Sequence, residues 1–134
     1  MLSRFLEQLS KDLSLEQPLA PNAEGFYSLL LASDLQISFV EKEDSSITLC
    51  ASLAPLPEKN SEEFLLRAMS ANLLGRETGR GVLGLDQEGK QILLVRALSG
   101  QESYREFHEC VEEFANYADA WRQEVVEFGK PISD

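Results

Sequence analysis

Leu2, Phe5, Leu6, Leu9 and Leu13 recur at spacings of three and four, with Arg4, Glu7, Lys11 and Asp12 placed around the rest of the wheel. That spacing predicts an amphipathic helix over residues 2–14. Pro18, Pro21 and Gly25 then break the pattern and mark 15–25 as a loop. From Phe26 the period shortens to two. A dense apolar run from Phe26 to Ala32 meets a Ser33-Asp34 break, and Leu35, Ile37 and Phe39 then alternate with Gln36 and Ser38. Beyond the acidic turn Glu41-Lys42-Glu43-Asp44, the apolar positions Ile47, Leu49, Ala51 and Leu53 alternate with Thr48, Cys50 and Ser52. Consecutive strands with short connections make an antiparallel meander with one wetter face.

Pro55 and Pro57 end that segment. Asn60 followed by Glu63 predicts a capping box for a helix carrying Phe64, Leu65, Ala68, Met69, Asn72 and Leu73, and Gly75 stands where a left-handed C-terminal cap belongs. Next, two apolar runs flank Asp86-Gln87-Glu88-Gly89-Lys90 and read as a hairpin over 82–98. Ser99 with Glu102, and Ser103 with Glu106, both offer starts for a last helix. Its stripe of Tyr104, Phe107, Val111, Phe114, Ala118, Trp121, Val125 and Phe128 keeps its spacing for about seven turns. So many aromatics suit packing on a sheet better than a narrow two-stranded seam. The predicted architecture is α+β in the order α-β-β-β-α-β-β-α, an antiparallel twisted sheet packed by helices, in a single domain over 1–134 with 129–134 as a frayed tail.

Composition narrows the function. A formal net charge of -11 repels phosphate backbones and anionic lipid, which argues against nucleic acid or membrane as partner. It favours a partner with basic or amphipathic segments. No apolar run approaches the ~18–20 residues that span a bilayer, and the N-terminal residues lack the form of a signal peptide. Cys50 and Cys110 are far apart without metal-ligand spacing, so they read as free thiols in a reducing, cytoplasmic setting.

Candidate chemistry is sparse. Gly79-Arg80-Gly81-Val82-Leu83-Gly84 fits the glycine pattern of dinucleotide-binding loops, but a helix precedes it and a strand follows, the reverse of what that mechanism requires. It reads as a glycine-rich turn. His108 is the only histidine and has no nucleophile or second ligand in a suitable pattern. The carboxylates Glu41, Glu43, Asp44, Asp86, Glu88, Glu106, Glu109, Glu112 and Glu113 fall in turns or on an outer helix face, where solvated charge is the default. No catalytic residue, metal site or cofactor is expected. The wide apolar face of the first helix divides between two readings: all of it core, or part of it open as a groove for an extended peptide.

The element order, the acidic charge, the segment Leu65-Leu66-Arg67-Ala68-Met69-Ser70-Ala71-Asn72-Leu73-Leu74, then Gly81-Val82-Leu83-Gly84-Leu85-Asp86 and the return strand Ile92-Leu93-Leu94-Val95-Arg96 together resemble the class I type III secretion chaperones, the CesT/SycE-like family. The resemblance spans nearly the whole chain. It implies a cytoplasmic, ATP-independent chaperone that binds an N-terminal segment of a secreted effector, keeps it secretion-competent and delivers it to the export apparatus. It also implies a dimer, with itself or with a related chaperone, through Ala68, Met69, Asn72, Leu73, Val82, Leu83 and Leu85. Effector contacts implied in the same way are Leu2, Phe5, Leu6, Leu9, Leu29, Leu31 and Ile37. The alternative is a regulatory module of the same fold that sequesters a regulator or transcription component through its acidic surface.

Overall fold

In a computed structural model, residues 1–15, 19–31 and 35–128 are described; the expectations for 129–134, for Ala32 and for the Ser33-Asp34 break lie outside them. The elements are α1 (Leu2–Asp12), β1 (Tyr27–Leu30), β2 (Gln36–Glu41), β3 (Ile47–Pro55), α2 (Ser61–Asn72), a 3-10 turn (Leu73–Gly75), β4 (Val82–Leu85), β5 (Gln91–Leu98) and α3 (Tyr104–Phe128). The strands form one antiparallel sheet in the order β1-β2-β3-β5-β4. Residues pair across it in rows such as Leu29–Ile37–Ala51–Leu94–Leu83, and β3 carries an irregularity between Ser52 and Ala54.

Alternation along the strands sorts the two faces. Ile37, Phe39, Ile47, Leu49, Ala51, Ile92 and Leu94 are buried on one face, while Ser38, Val40, Thr48, Cys50, Leu93 and Val95 on the other are half-buried. The helices all supply side chains to the buried side. The α3 stripe behaves as expected: Phe107, Val111, Phe114, Ala118, Trp121 and Val125 are buried, with α3 lying over β3. The Phe107 ring meets Phe5 of α1 at 5.0 Å and Phe39 of β2 at 6.0 Å between centroids, so one aromatic side chain joins three elements.

Of the predicted capping boxes, Ser103 and Glu106 form the reciprocal pair that starts α3: the Glu106 N–H donates to Ser103 Oγ at 3.2 Å, and the Ser103 N–H to Glu106 Oε1 at 3.0 Å. Asn60 precedes α2 but makes no side-chain cap, because its backbone is left-handed at φ 60°. That conformation turns its carboxamide away from the donors a cap would satisfy.

Several polar contacts tie the helices together. Arg67 of α2 pairs with Glu77 at 2.8 Å and Glu124 of α3 at 3.0 Å, and its guanidinium lies 5.0 Å from the centre of the Trp121 ring. The Trp121 indole N–H donates to the Glu77 carbonyl at 2.8 Å. Gly79 (φ +59°) passes beneath Tyr117, where an added Cβ would stand 2.5 Å from the ring. The glycine-rich segment is thus a packed turn between α2 and β4. Arg96, buried on the helix-covered face, reaches Glu113 at 3.4 Å.

At the α1–α3 junction the Tyr104 hydroxyl donates to Asp12 Oδ2 at 2.5 Å. Desolvation, reinforced by the Asp12 carboxylate, pushes the Tyr104 phenol up to about 12 from 10.0. A raised value in the folded state means that this contact stabilises the fold fully below pH 10 and ceases to do so as pH rises through about 12. Ultraviolet titration should show the Tyr104 phenol ionising late, and Asp12→Asn should bring that midpoint down. An unchanged midpoint in the variant would remove Asp12 from the explanation.

Candidate partner-binding surfaces

α2 carries two apolar stripes. Phe64, Ala68 and Ala71 face the core at spacings of four and three. Leu66, Met69 and Leu73, again three and four apart, are 68%, 68% and 71% exposed. A surface helix needs one apolar stripe to pack on its own sheet, so the second is surplus to the protomer. Beside it lies β4, whose Val82 and Leu85 are 55% and 41% exposed. Met69 and Leu85 flank a hollow of about 220 Å³ walled by Phe64, Leu65, Ala68, Asn72, Leu83 and Ile92. Of the residues expected at a dimer interface, Met69, Leu73, Val82 and Leu85 are therefore at the surface. Ala68 and Leu83 are buried beneath them, and half-buried Asn72 reaches from the end of α2 to β4.

Toward the opposite edge the picture differs. Leu2, Leu6, Leu9, Leu29 and Ile37, expected to meet an effector, are buried in the core and present no surface in this protomer. The physical reason is that α1 is covered on two sides. Leu2, Leu6 and Leu9 join the core beneath the sheet, while Phe5 sits between the Tyr104 and Phe107 rings of α3. A helix wedged in this way uses most of its wide apolar face for packing. Phe5 and Leu31 remain half-buried. The residues that do lie open here are Leu13, Phe26 and, at 64%, Leu30. Leu30 is invisible in the sequence because Leu29-Leu30-Leu31 is uniformly apolar. Leu66 could have been found, since it begins the second stripe on α2.

β1 is also a sheet edge. The Leu31 N–H donates to the Leu35 carbonyl at 2.8 Å on the β2 side, so alternation turns the backbone groups of Phe26, Ser28 and Leu30 outward. Asn22 occupies those of Phe26: its Oδ1 accepts the Phe26 N–H at 2.9 Å, and its own N–H donates to the Phe26 carbonyl at 2.8 Å. Ser28 and Leu30 follow on the same edge.

Among the described residues no group of His, Cys, Asp and Glu is placed to hold a metal, and no helix is long and apolar enough to cross a membrane. Burial pushes the Cys50 and Cys110 thiols up from their ordinary values, away from the reactive thiolate. The carboxylates Asp12, Asp44 and Asp86 are held below the usual range by hydrogen bonds to Tyr104, Ser46 and the Lys90 backbone respectively, as structural turn and junction groups.

Residues 4–122 match the model of the Tir chaperone protein (CesT) family. The chain belongs to that family. A Chlamydia pneumoniae protein, CPj0713/CpB0740, is 32% identical over 126 residues, which span 93% of this chain and 96% of that one. Among solved structures, a chain of the ExsC–ExsE complex matches with a TM-score of 0.77 at 17% identity over 92% of each chain. A chain of the HopA1–SchA chaperone–effector complex matches at 0.71 with 18% identity, over 91% of this chain and 93% of that one. The heterodimeric ExoU–SpcU complex from the type III secretion system of Pseudomonas aeruginosa matches at 0.70 with 14% identity, over 98% and 100%. Such identities establish a shared fold. The CesT family and the helix-covered antiparallel sheet are those expected from the sequence.

Proposed function

We propose that this CesT-family chain is a cytoplasmic, ATP-independent chaperone for a type III secreted effector, whose N-terminal segment it keeps secretion-competent for delivery to the export apparatus. The observation that carries this reading is the presence of two separate apolar surfaces on one small acidic protein, each unneeded by the protomer's own core. The α2–β4 surface joins two protomers, identical or closely related, through Leu66, Met69, Leu73, Val82 and Leu85, with Ala68, Asn72 and Leu83 supporting it from below. A self-complementary interface needs projections and a recess on the same patch, and this patch carries both. The second surface, Leu30 and Phe26 along the open β1 edge, receives the client. An extended client can pair with the outward backbone groups of Ser28 and Leu30 while its side chains meet the apolar ones.

Ordering an unfolded segment costs entropy, so a large wrapped area is required, and a dimer doubles what is on offer. The charge of -11 keeps these apolar surfaces soluble and attracts clients with basic or amphipathic segments.

The test is co-expression with N-terminal segments of candidate effectors, followed by limited proteolysis. The bound segment should become protease-resistant without ATP. Leu30→Asp, at an exposed position, should weaken binding by at least ~10-fold, the cost of removing one buried apolar side chain, and leave the fold unaltered. Segments digested equally fast with and without the chain would overturn the reading.

A further inference from the structure

The edge of β4 is finished with more care than that of β1. Opposite β5 the strand uses alternate residues, and Gly81, Leu83 and Leu85 turn their backbone groups to the outside. Two of these positions in succession are already occupied. The Asn72 carboxamide acts as a short stretch of neighbouring strand: its Nδ2 donates to the Leu83 carbonyl at 2.9 Å, and its Oδ1 accepts the Leu83 N–H at 2.8 Å. Thr78, almost wholly buried, does the same for Gly81. Its hydroxyl donates to the Gly81 carbonyl at 2.7 Å, and the Gly81 N–H donates to the Thr78 carbonyl at 3.0 Å. Beyond Leu85 the chain turns away at Asp86, whose Oδ1 accepts the Lys90 N–H at 2.8 Å.

We propose that Asn72 and Thr78 are guard residues that close the β4 edge to strand addition, so that a second copy meets the α2–β4 face through side chains and never by extending the sheet. The inference rests on the reading of that face as the contact between protomers. The need for a guard is written in β4 itself. Val82-Leu83-Gly84-Leu85 holds no charge and no proline, the usual protections of an edge strand, and it sits beside an exposed apolar helix stripe. Left unguarded, such a strand pairs readily with its own copy about a two-fold axis. Sealing its backbone leaves the side chains of Met69, Leu73 and Leu85 to make the contact. It also makes the outcome finite, because side-chain packing about a two-fold closes on itself.

Asn72→Leu keeps the branched shape and the number of heavy atoms and removes both bonds. Hydrogen exchange at the Leu83 amide should then accelerate about tenfold, as expected when a strand N–H loses its acceptor. The same variant should form species larger than the parent that grow with concentration and show the infrared signature of intermolecular sheet. Asn72→Asp retains the acceptor and should keep the Leu83 amide slow. Unchanged Leu83 exchange in the leucine variant, an unchanged mass, or equal acceleration in both variants would overturn the proposal. Should the leucine variant not fold, Asn72→Ser, too short to reach Leu83, carries the same test. A monomeric parent would sink the dimer reading alone; the guard would then stand or fall on whether the variant assembles from that monomer.

Discussion

Met69→Glu combined with Leu73→Glu should leave the protein a monomer at concentrations where the proposed α2–β4 contact pairs the parent. Both side chains are more than two-thirds exposed in the protomer, so the substitutions remove little from its own core. Glutamate also suits a helix nearly as well as leucine or methionine. At a two-fold contact each change is felt twice. Withdrawing two apolar side chains per protomer at ~1.5 kcal/mol or more each costs on the order of 6 kcal/mol, about four decades in the dissociation constant, before like-charge repulsion is added. Light scattering behind size exclusion measures the mass, and circular dichroism checks that the helices persist. A variant with the parent's mass would place the contact elsewhere. Leu83→Glu is a poorer probe of the same idea. Its side chain is only 5% exposed, so the charge would be forced into the core and the protomer itself would fail.

The second large effect is expected from Phe107→Ala. The ring has no exposed surface and touches aromatic rings of α1 and β2. Truncation leaves a cavity where three elements converge, and a loss of ~3–5 kcal/mol is expected. Against a total stability of roughly 5–15 kcal/mol, that lowers the melting temperature by roughly 10–20 °C. Phe5→Ala, at a half-buried ring on the same cluster, should cost distinctly less. Urea titrations of the two variants decide the ranking. Equal small losses would show that α1 and α3 do not share this aromatic junction.

Long periodic segments were the most legible parts of the sequence. Twenty-five residues of α3 keep one stripe facing one sheet, so spacing alone determines both the helix and its buried side. Strand alternation in β2 and β3 was equally readable, because one face is apolar and the other small and polar. Legibility failed where a residue has more than one apolar neighbour to choose from. The leucines of α1 could have lined a groove or a core, and the decision belongs to the rings of Phe107 and Tyr104, far along the chain. In Leu29-Leu30-Leu31 the register of β1 against β2 alone decides that Leu29 is buried and Leu30 is not. Asn60 and Asn72 show the same dependence on context. The first matches a cap by spacing and does not cap, whereas the second gives no local signal and clasps a strand that begins ten residues later.

The position of Arg67 has one more consequence. Its ion pairs with Glu77 and Glu124 and its stacking on Trp121 fix α2 against α3 and the following turn, on a different side of the helix from Leu66, Met69 and Leu73. The stripe proposed to meet a second protomer is therefore tied to the rest of the fold through α3 and the following turn. Preorganisation of this kind spares the association the entropy of freezing a mobile helix, so tight pairing needs less contact area than a floppy one would.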